Sequence, residues 1–324
     1  MKVNILIISV WALTMLVGCQ KEDDLAPSKN GMDYFEIQDK PGRFNQLAYQ
    51  IYSETKMPIF VNDTLGVEYR GEDAYGQPII HYERFVLGYT ITAQWARTDM
   101  ALSADTNAMV KAAEVIRDLV LPRLPKDKAY RPYSLLLADT LYNNYYGWNA
   151  SVGLYPYGKT DYAVDEMMGI VVGKLSDILE MSEDELAFWA GRILAVNISS
   201  DIQSVYEEEL EDFYMVSKKN ATATYHDGTF YGFSNGTAIN PEYGIDYREN
   251  GFTEWIWDGP HPTIAGRNVR KYPSKAMDVT NYIAMVYAYD EEKFEQMNAG
   301  FPKCIEKYKL MKELVEKFEE RISQ

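Results

Sequence analysis

The stretch that most constrains this chain is SEDELAFWAGRILAVNISSDIQSVYEEELEDF, residues 182–213. Ser182 and Glu185 form a capping box, Glu183 and Asp184 suit a first helical turn, and apolar residues then recur at helical spacing. Leu186, Ala190, Leu194, Ile198, Ile202, Val205 and Leu210 share one broad stripe. The pattern predicts one long central helix, buried along that stripe, around which the remaining elements must pack.

Chemistry on this helix is conspicuous by what is missing. Asn197 and Asp201 stand four residues apart on one helix face, with Ile198 beside the first. That is the spacing of H-E-x-x-H without its chemistry. In a zinc peptidase two imidazoles at that spacing hold the metal, and the intervening Glu deprotonates the metal-bound water. Ile198 cannot act as a base and an Asn is a poor zinc ligand, so pattern alone favours a core helix with a few polar turns on its far face.

At the other end of the chain, Lys2 precedes the apolar run ILIISVWALTMLV, followed by Leu16-Val17-Gly18-Cys19. The run is short for a membrane span, and a small residue precedes the cysteine, which fits cleavage after residue 18. The segment resembles a bacterial lipoprotein signal (1–18), a resemblance that implies diacylation of Cys19 and anchoring of the protein rather than spanning. Gln20-Lys21-Glu22-Asp23-Asp24 is similar to the acidic tract that directs many Bacteroidota lipoproteins to the cell surface, and it also reads as a plain solvated tether. Residues 19–31 form a flexible linker on either reading. The expected organisation is then one domain over 32–324.

Charge and cysteine content narrow the partners. Loss of residues 1–18 removes Lys2, leaving 31 basic against 48 acidic side chains, or −17. A surface that acidic repels phosphates, so no nucleic-acid partner is expected. With Cys19 committed to lipid, Cys304 has no cysteine to pair with and reads as a small residue buried on a helix.

The remaining elements are mixed. A helix is expected across Phe44, Leu47, Ala48, Ile51 and Tyr52, then strands over Pro58 to Val61 and His81 to Thr92. A second helix runs from about Asp105 and stops at Pro122 and Pro125. Ser134 to Asp139 reads as a buried strand, and Ala163 to Leu179 suits either strand or helix. Ala221 to Tyr272 resists division into elements. Two helices close the chain, at about Ser274 to Tyr289 and Pro302 to Ile322. The last is amphipathic through Ile305, Tyr308, Met311, Val315, Phe318 and Ile322, with Lys and Glu on its other side.

Several phrases, in this order, resemble the zinc-binding metallopeptidase lipoproteins of Bacteroidota, which are associated with outer-membrane nutrient-import loci. They are Ile51-Tyr52 with Pro58-Ile59-Phe60-Val61, the helix 105–121 ending in Leu121-Pro122-Arg123-Leu124-Pro125, and the strand Leu135-Leu136-Leu137. The central helix follows, where the family has H-E-x-x-H, and then Met277-Asp278-Val279-Thr280-Asn281-Tyr282-Ile283. The resemblance implies an α+β, zincin-like fold, a mixed sheet packed on the central helix with C-terminal helices. It also implies attachment to the outer membrane through lipid, at the cell surface, beside transport components.

Departures from the family bear on activity. Its metal-binding histidines and catalytic Glu have no counterparts on the central helix, and Asn281 stands about where a family acid sits. Asn197, Asp201 and Asn281 are therefore candidates for a degenerate site. His81, His226 and His261 are the only histidines, and no two lie within three to five residues of each other. Neither zinc nor peptidase activity is expected. Aromatic residues supply an alternative: Tyr146, Trp148, Trp255 and Trp257, beside Asn, Gly and Asp, suit a glycan- or peptide-binding surface, although aromatics equally fill loop-rich cores. An active hydrolase is the second alternative, either a metallopeptidase with other ligands or a glycosidase using carboxylates drawn from Glu254 and Asp258, or from Asp161, Asp165 and Glu166.

Overall fold

The computed structural model describes residues 33–88, 96–149, 153–218, 230–231, 234–235, 245–260, 266 and 268–323, with side chains except at 96–97, 143–149, 153–158, 234–235 and 269. The chain divides into two units, Met1–Tyr34 and Phe35–Gln324. Of the first, only Asp33 and Tyr34 are described, so Cys19, the expected lipidation site, lies outside the described residues.

In the second unit helix α1 (Arg43–Thr55) leads to β1 (Ile59–Phe60) and a hairpin of β2 (Thr64–Glu72) and β3 (Pro78–Arg84). Strand β4 (Ala96–Ala101) and helix α2 (Thr106–Val115) follow, the helix running into a π-turn over Ile116–Val120 that ends at the prolines. Next come β5 (Leu135–Leu137), β6 (Thr140–Asn149), β7 (Gly153–Asp161), β8 (Ala163–Glu166) and β9 (Gly169–Val172). The central helix α3 (Glu183–Val205) and short α4 (Glu209–Met215) precede β10 (Ser234–Asn235), β11 (Trp257–Pro260) and β12 (Asn268–Lys271). Helices α5 (Lys275–Ala288), α6 (Glu291–Met297) and α7 (Pro302–Ile322) complete it. The class is α+β.

The central sheet has the order β1-β5-β9-β8, parallel across β1, β5 and β9 and antiparallel at the β8 edge. Leu135, Leu136 and Leu137 are wholly buried, as are Ile170, Val171 and Val172. Strands covered on both faces need such unbroken apolar runs, which is why they carry no period-2 alternation. Gly169 begins β9 at φ +139°, where an added Cβ would lie 2.2 Å from the Ser134 carbonyl oxygen, so only glycine fits that turn.

Ser182 starts α3 with both halves of the capping box in place: its Oγ accepts from the Glu185 N–H, and Glu185 Oε2 accepts from the Ser182 N–H at 2.8 Å. The helix packs by Trp189, Ala190, Ile193 and Leu194 into the sheet-side core, and by Ala195, Ile198 and Ile202 into a second core built with α5 and α7. Trp189 Nε1 donates to the Gly173 carbonyl at 2.9 Å, tying helix to sheet. Among the described residues no helix is long and apolar enough to cross a membrane.

Several sequence expectations are corrected. The central helix ends at Tyr206 rather than reaching Phe213. Its last turn carries no basic residue, and acids at a C-terminus oppose the helix dipole, whereas Glu209, Glu211 and Asp212 favour a fresh N-terminus at α4. The ambiguous segment 163–179 is a β8–β9 hairpin followed by turns, and β3 begins at Pro78. Helix α6, capped by Asp290 accepting from the Lys293 N–H, is missing from the expected list. On α7 the polar side is not all solvated: Lys307 is wholly buried against Asp278 of α5.

Candidate functional site

Helices α3 and α5 cross at a point where only glycine permits the approach: a Cβ on Gly191 would stand 2.5 Å from the Ala284 carbonyl oxygen. That contact sets Arg192 of α3 beside Asn281 of α5. Asp161, the last residue of β7, enters from the side of the edge strand β8, and Glu254 enters from the loop before β11.

Together they form a closed polar chain. Arg192 Nη2 donates to Asp161 Oδ1 at 2.8 Å and Nη1 donates to Asn281 Oδ1. Asn281 Nδ2 donates to Glu254 Oε1 at 2.8 Å, and the other oxygen of Glu254 pairs with Lys159. A guanidinium on one side and a carboxylate on the other fix the amide of Asn281 in one orientation. Two cations and two anions alternate along the chain; the Arg192–Asp161 pair is buried and the Lys159–Glu254 pair lies at its half-exposed end. Burial tends to raise the Asp161 carboxyl, but Arg192, Lys159 and the Tyr162 N–H outweigh it and hold the group below the usual carboxylate range.

This chain floors a cleft of about 250 Å³ between β8, α3 and α5, with Asp165, Val196, Ser199, Gln203, Met277 and Thr280 on its walls. The Ser199 and Thr280 hydroxyls are already engaged. Thr280 donates to the Ala276 carbonyl at 3.0 Å, Ser199 and Thr280 share a bond of 2.6 Å, and Gln203 Nε2 donates to Ser199 Oγ at 3.0 Å. Among the described residues the Ser199 hydroxyl is bonded to Thr280 and Gln203 and to no general base. Asp165 is different: crowding by the protein, then the charges of Glu166 and Asp201, push its carboxyl up to about 6. Glu166 is also raised by burial, against the opposing donation from the Gly88 N–H at 2.9 Å. The cleft therefore offers fixed donors and acceptors around one carboxyl that holds a proton into the weakly acidic range.

Of the residues singled out in the sequence, Asn281 lies in this cleft and Asp201 acts on it through charge. Asn197 does not line it; its Nδ2 donates to the Tyr130 carbonyl at 2.6 Å. The cleft-facing row on α3 is Arg192, Val196, Ser199 and Gln203, out of phase with Asn197. Glu254 and Asp258 do not act as a pair: Asp258 accepts from Arg270 Nε at 3.0 Å, while Glu254 joins Asp161 and Asp165 around the cleft. Trp255 packs on Tyr272 with ring centres 4.4 Å apart and carries the Arg270 guanidinium over its face. Trp257 buries an indole N–H that has no acceptor among the described residues. The rings of Tyr146 and Trp148 fall outside the described residues, as do His226 and His261. His81 is on β3, paired to Glu83 at 3.1 Å. Among the described residues no group of three or more His, Cys, Asp and Glu is poised to hold a metal.

Arg192 is the residue that sequence reading missed. Its signal was present: one cation inside the apolar run FWAGRILAV, where a charge survives only with a buried counter-ion. A larger opening of about 770 Å³ lies between Pro122–Lys126, the end of α5 and α7, with walls that mix Tyr287, Tyr289, Tyr308, Val315 and Ile322 with Arg123, Lys312 and Glu319. No family model, no curated protein and no solved structure matches this chain.

Proposed function

We propose that this protein is a lipid-anchored, surface-exposed outer-membrane component with a zincin-like body, which binds a glycan or peptide ligand in nutrient uptake without cleaving it. One observation carries the reading: the salt-bridged chain from Asp161 through Arg192, Asn281 and Glu254 to Lys159 fills the floor where α3 and α5 meet. In a zincin-like body that is where the central helix and the next long helix would supply the metal ligands. The cleft-facing residues four apart on α3 are Arg192 and Val196, Val196 and Ser200, and Ser199 and Gln203, with Asn281 opposite; Ile193, next to Arg192, is buried in the core. Arginine stays protonated and excludes a cation from the position it fills, and neither Val nor Ile ligates metal or moves a proton. The antiparallel edge strand β8 lying over α3 further supports the zincin-like assignment. Removal of the hydrolytic groups leaves a polar cleft suited to orienting hydroxyls and amides.

The test is calorimetric titration of oligosaccharide and peptide panels into the purified protein, with turnover followed in the same samples and zinc measured after incubation in excess metal. Saturable binding without product, and zinc well below one per chain, is the expected result. Product formation, or one tightly held zinc per chain, overturns it.

One observation favours a second reading. Asp165, its carboxyl pushed up to about 6, shares its cleft with Asp161, whose carboxyl is held below the usual range, and carboxyls pushed apart in this way serve as acid and base in glycoside cleavage. That reading requires Asp165→Asn to abolish glycan turnover.

A further inference from the structure

Behind the cleft, in the core shared by α4, α5 and α7, Lys307 and Asp278 are both wholly buried, with Nζ 2.5 Å from Asp278 Oδ2. Tyr231 completes a triangle: its hydroxyl donates to Asp278 Oδ2 at 2.7 Å and lies 2.7 Å from Lys307 Nζ. The faces of Phe213, Phe252, Tyr231 and Tyr282 surround the amine, with ring centres 4.5, 4.7, 5.0 and 5.4 Å away. Asp278 Oδ1 is buried with no hydrogen-bond partner among the described residues.

A structural ion pair is poorly served by such surroundings. Aromatic faces attract a cation, but they supply no acceptor lone pairs, and an ionised carboxylate with a bare oxygen bears most of its desolvation cost. Burial accordingly pushes the Asp278 carboxyl up and the Lys307 amine down, the latter against the pull of its partner. Both shifts favour the neutral pair, a carboxylic acid against a free amine.

We propose that this pair is a modification site, at which Lys307 and Asp278 condense to an intramolecular isopeptide bond joining α7 to α5. The lone pair of neutral Lys307 Nζ attacks Asp278 Cγ, the Cγ–Oδ2 bond breaks, and Oδ2 departs as water. The departing oxygen carries its own proton and takes one from nitrogen, relayed by the Tyr231 hydroxyl that touches both atoms. No oxidant and no further reactant is needed. Holding the two groups in contact supplies an effective concentration that for well-oriented intramolecular reactions reaches roughly 10⁵–10⁸ M. The product amide carries no charge, so the core loses both ions and the unpartnered carboxylate oxygen becomes an amide carbonyl. The linkage is independent of what the cleft binds.

The experiment is peptide mapping of the purified full-length chain by mass spectrometry. Trypsin cannot cut after an acylated Lys307, so the expected product is peptide 276–293 joined to peptide 304–309, lighter than their sum by one water, with fragment ions from both. Asp278→Asn, which expels ammonia instead, is expected to give the same joined mass, and Lys307→Gln to abolish it. Recovery from folded protein of peptide 276–293 unlinked, together with cleavage after Lys307 to give peptide 304–307, overturns the proposal, as does a water loss confined to peptide 276–293, the mark of a cyclic imide at Asp278.

Discussion

Arg192 and Asp161 meet at 2.8 Å with side chains less than a tenth exposed, one from the middle of the central helix and the other from the last position of β7. Neither element could bury its charge alone. The pair locks the helix to the edge of the sheet and, through Asn281, to the crossing helix as well.

Removing one partner should therefore cost far more than removing both. Arg192→Met leaves Asp161 buried without the counter-ion it is bonded to, and loss of about 3–5 kcal/mol is expected for a broken buried pair. The double variant Arg192→Met, Asp161→Asn should recover much of that, because no bare charge remains. Urea unfolding of the two single variants and the double one measures the coupling; strict additivity would mean that the pair does not act as a unit.

The same pair sets a pH dependence. Asp161 has a folded-state carboxyl lower than the unfolded one, so its contribution is fully present above the unfolded value of about 3.9 and is lost as pH falls through the folded value. Thermal midpoints of wild type should drop through this acid window more steeply than those of Asp161→Asn. Parallel curves would show that the carboxylate is not the titrating group.

Much of this architecture is legible residue by residue. Helix starts at Asp105, Ser182 and Ser274 are announced by side chains that accept from their own first turns, a local interaction written in adjacent positions. The run Leu135–Leu137 announces a strand covered on both faces. What the sequence hides is long-range pairing. Arg192 and Asp161 lie 31 residues apart, and Lys307 and Asp278 lie 29 apart. On a helical wheel Lys307 resembles any solvated lysine of α7 until its partner is placed. The phase of α3 is hidden for the same reason: Asn197 and Arg192 are both polar, and only the position of α5 decides which of them faces the cleft.

Asp165 titrates in the opposite sense from Asp161. Its folded value of about 6 lies above the unfolded one, so the native state holds more protons between roughly pH 4 and pH 6 and stability falls as pH rises through that window. Asp165→Asn should raise the thermal midpoint at pH 7 and leave it unchanged at pH 4. Carbon-detected NMR of the carboxyl should report the midpoint directly, and a value near 4 would remove Asp165 from consideration as a proton donor.

Cys304 is wholly buried, its thiol near the Arg248 and Phe252 carbonyls at 3.4 and 3.5 Å, and burial pushes its pKa up to about 11. A thiol with so little thiolate and no access should resist alkylation in the native state. Maleimide labelling read by peptide mapping should find Cys304 unmodified at pH 7.5 and fully modified in denaturant; rapid native labelling would mean that α7 opens.

Gly191 is the position where fold and site are most tightly coupled. Alanine at mid-helix would be favoured over glycine by about 1 kcal/mol through helix propensity alone. Here the added Cβ meets the Ala284 carbonyl oxygen at 2.5 Å and then the backbone of Ala288 at 3.4 Å, contacts that no side-chain rotation can relieve. Overpacking of this kind costs about 1–3 kcal/mol, so the clash outweighs the propensity gain and Gly191→Ala should lower the urea midpoint with its slope unchanged. The relief available is separation of α3 from α5, which stretches the Arg192–Asn281 contact and loosens the cleft floor. Ligand affinity should therefore fall along with stability, whereas Gly300→Ala, an exposed position where a Cβ meets nothing within 4 Å but φ is +95°, should lower stability alone. Equal affinity in both variants would separate the helix crossing from the site it is proposed to build.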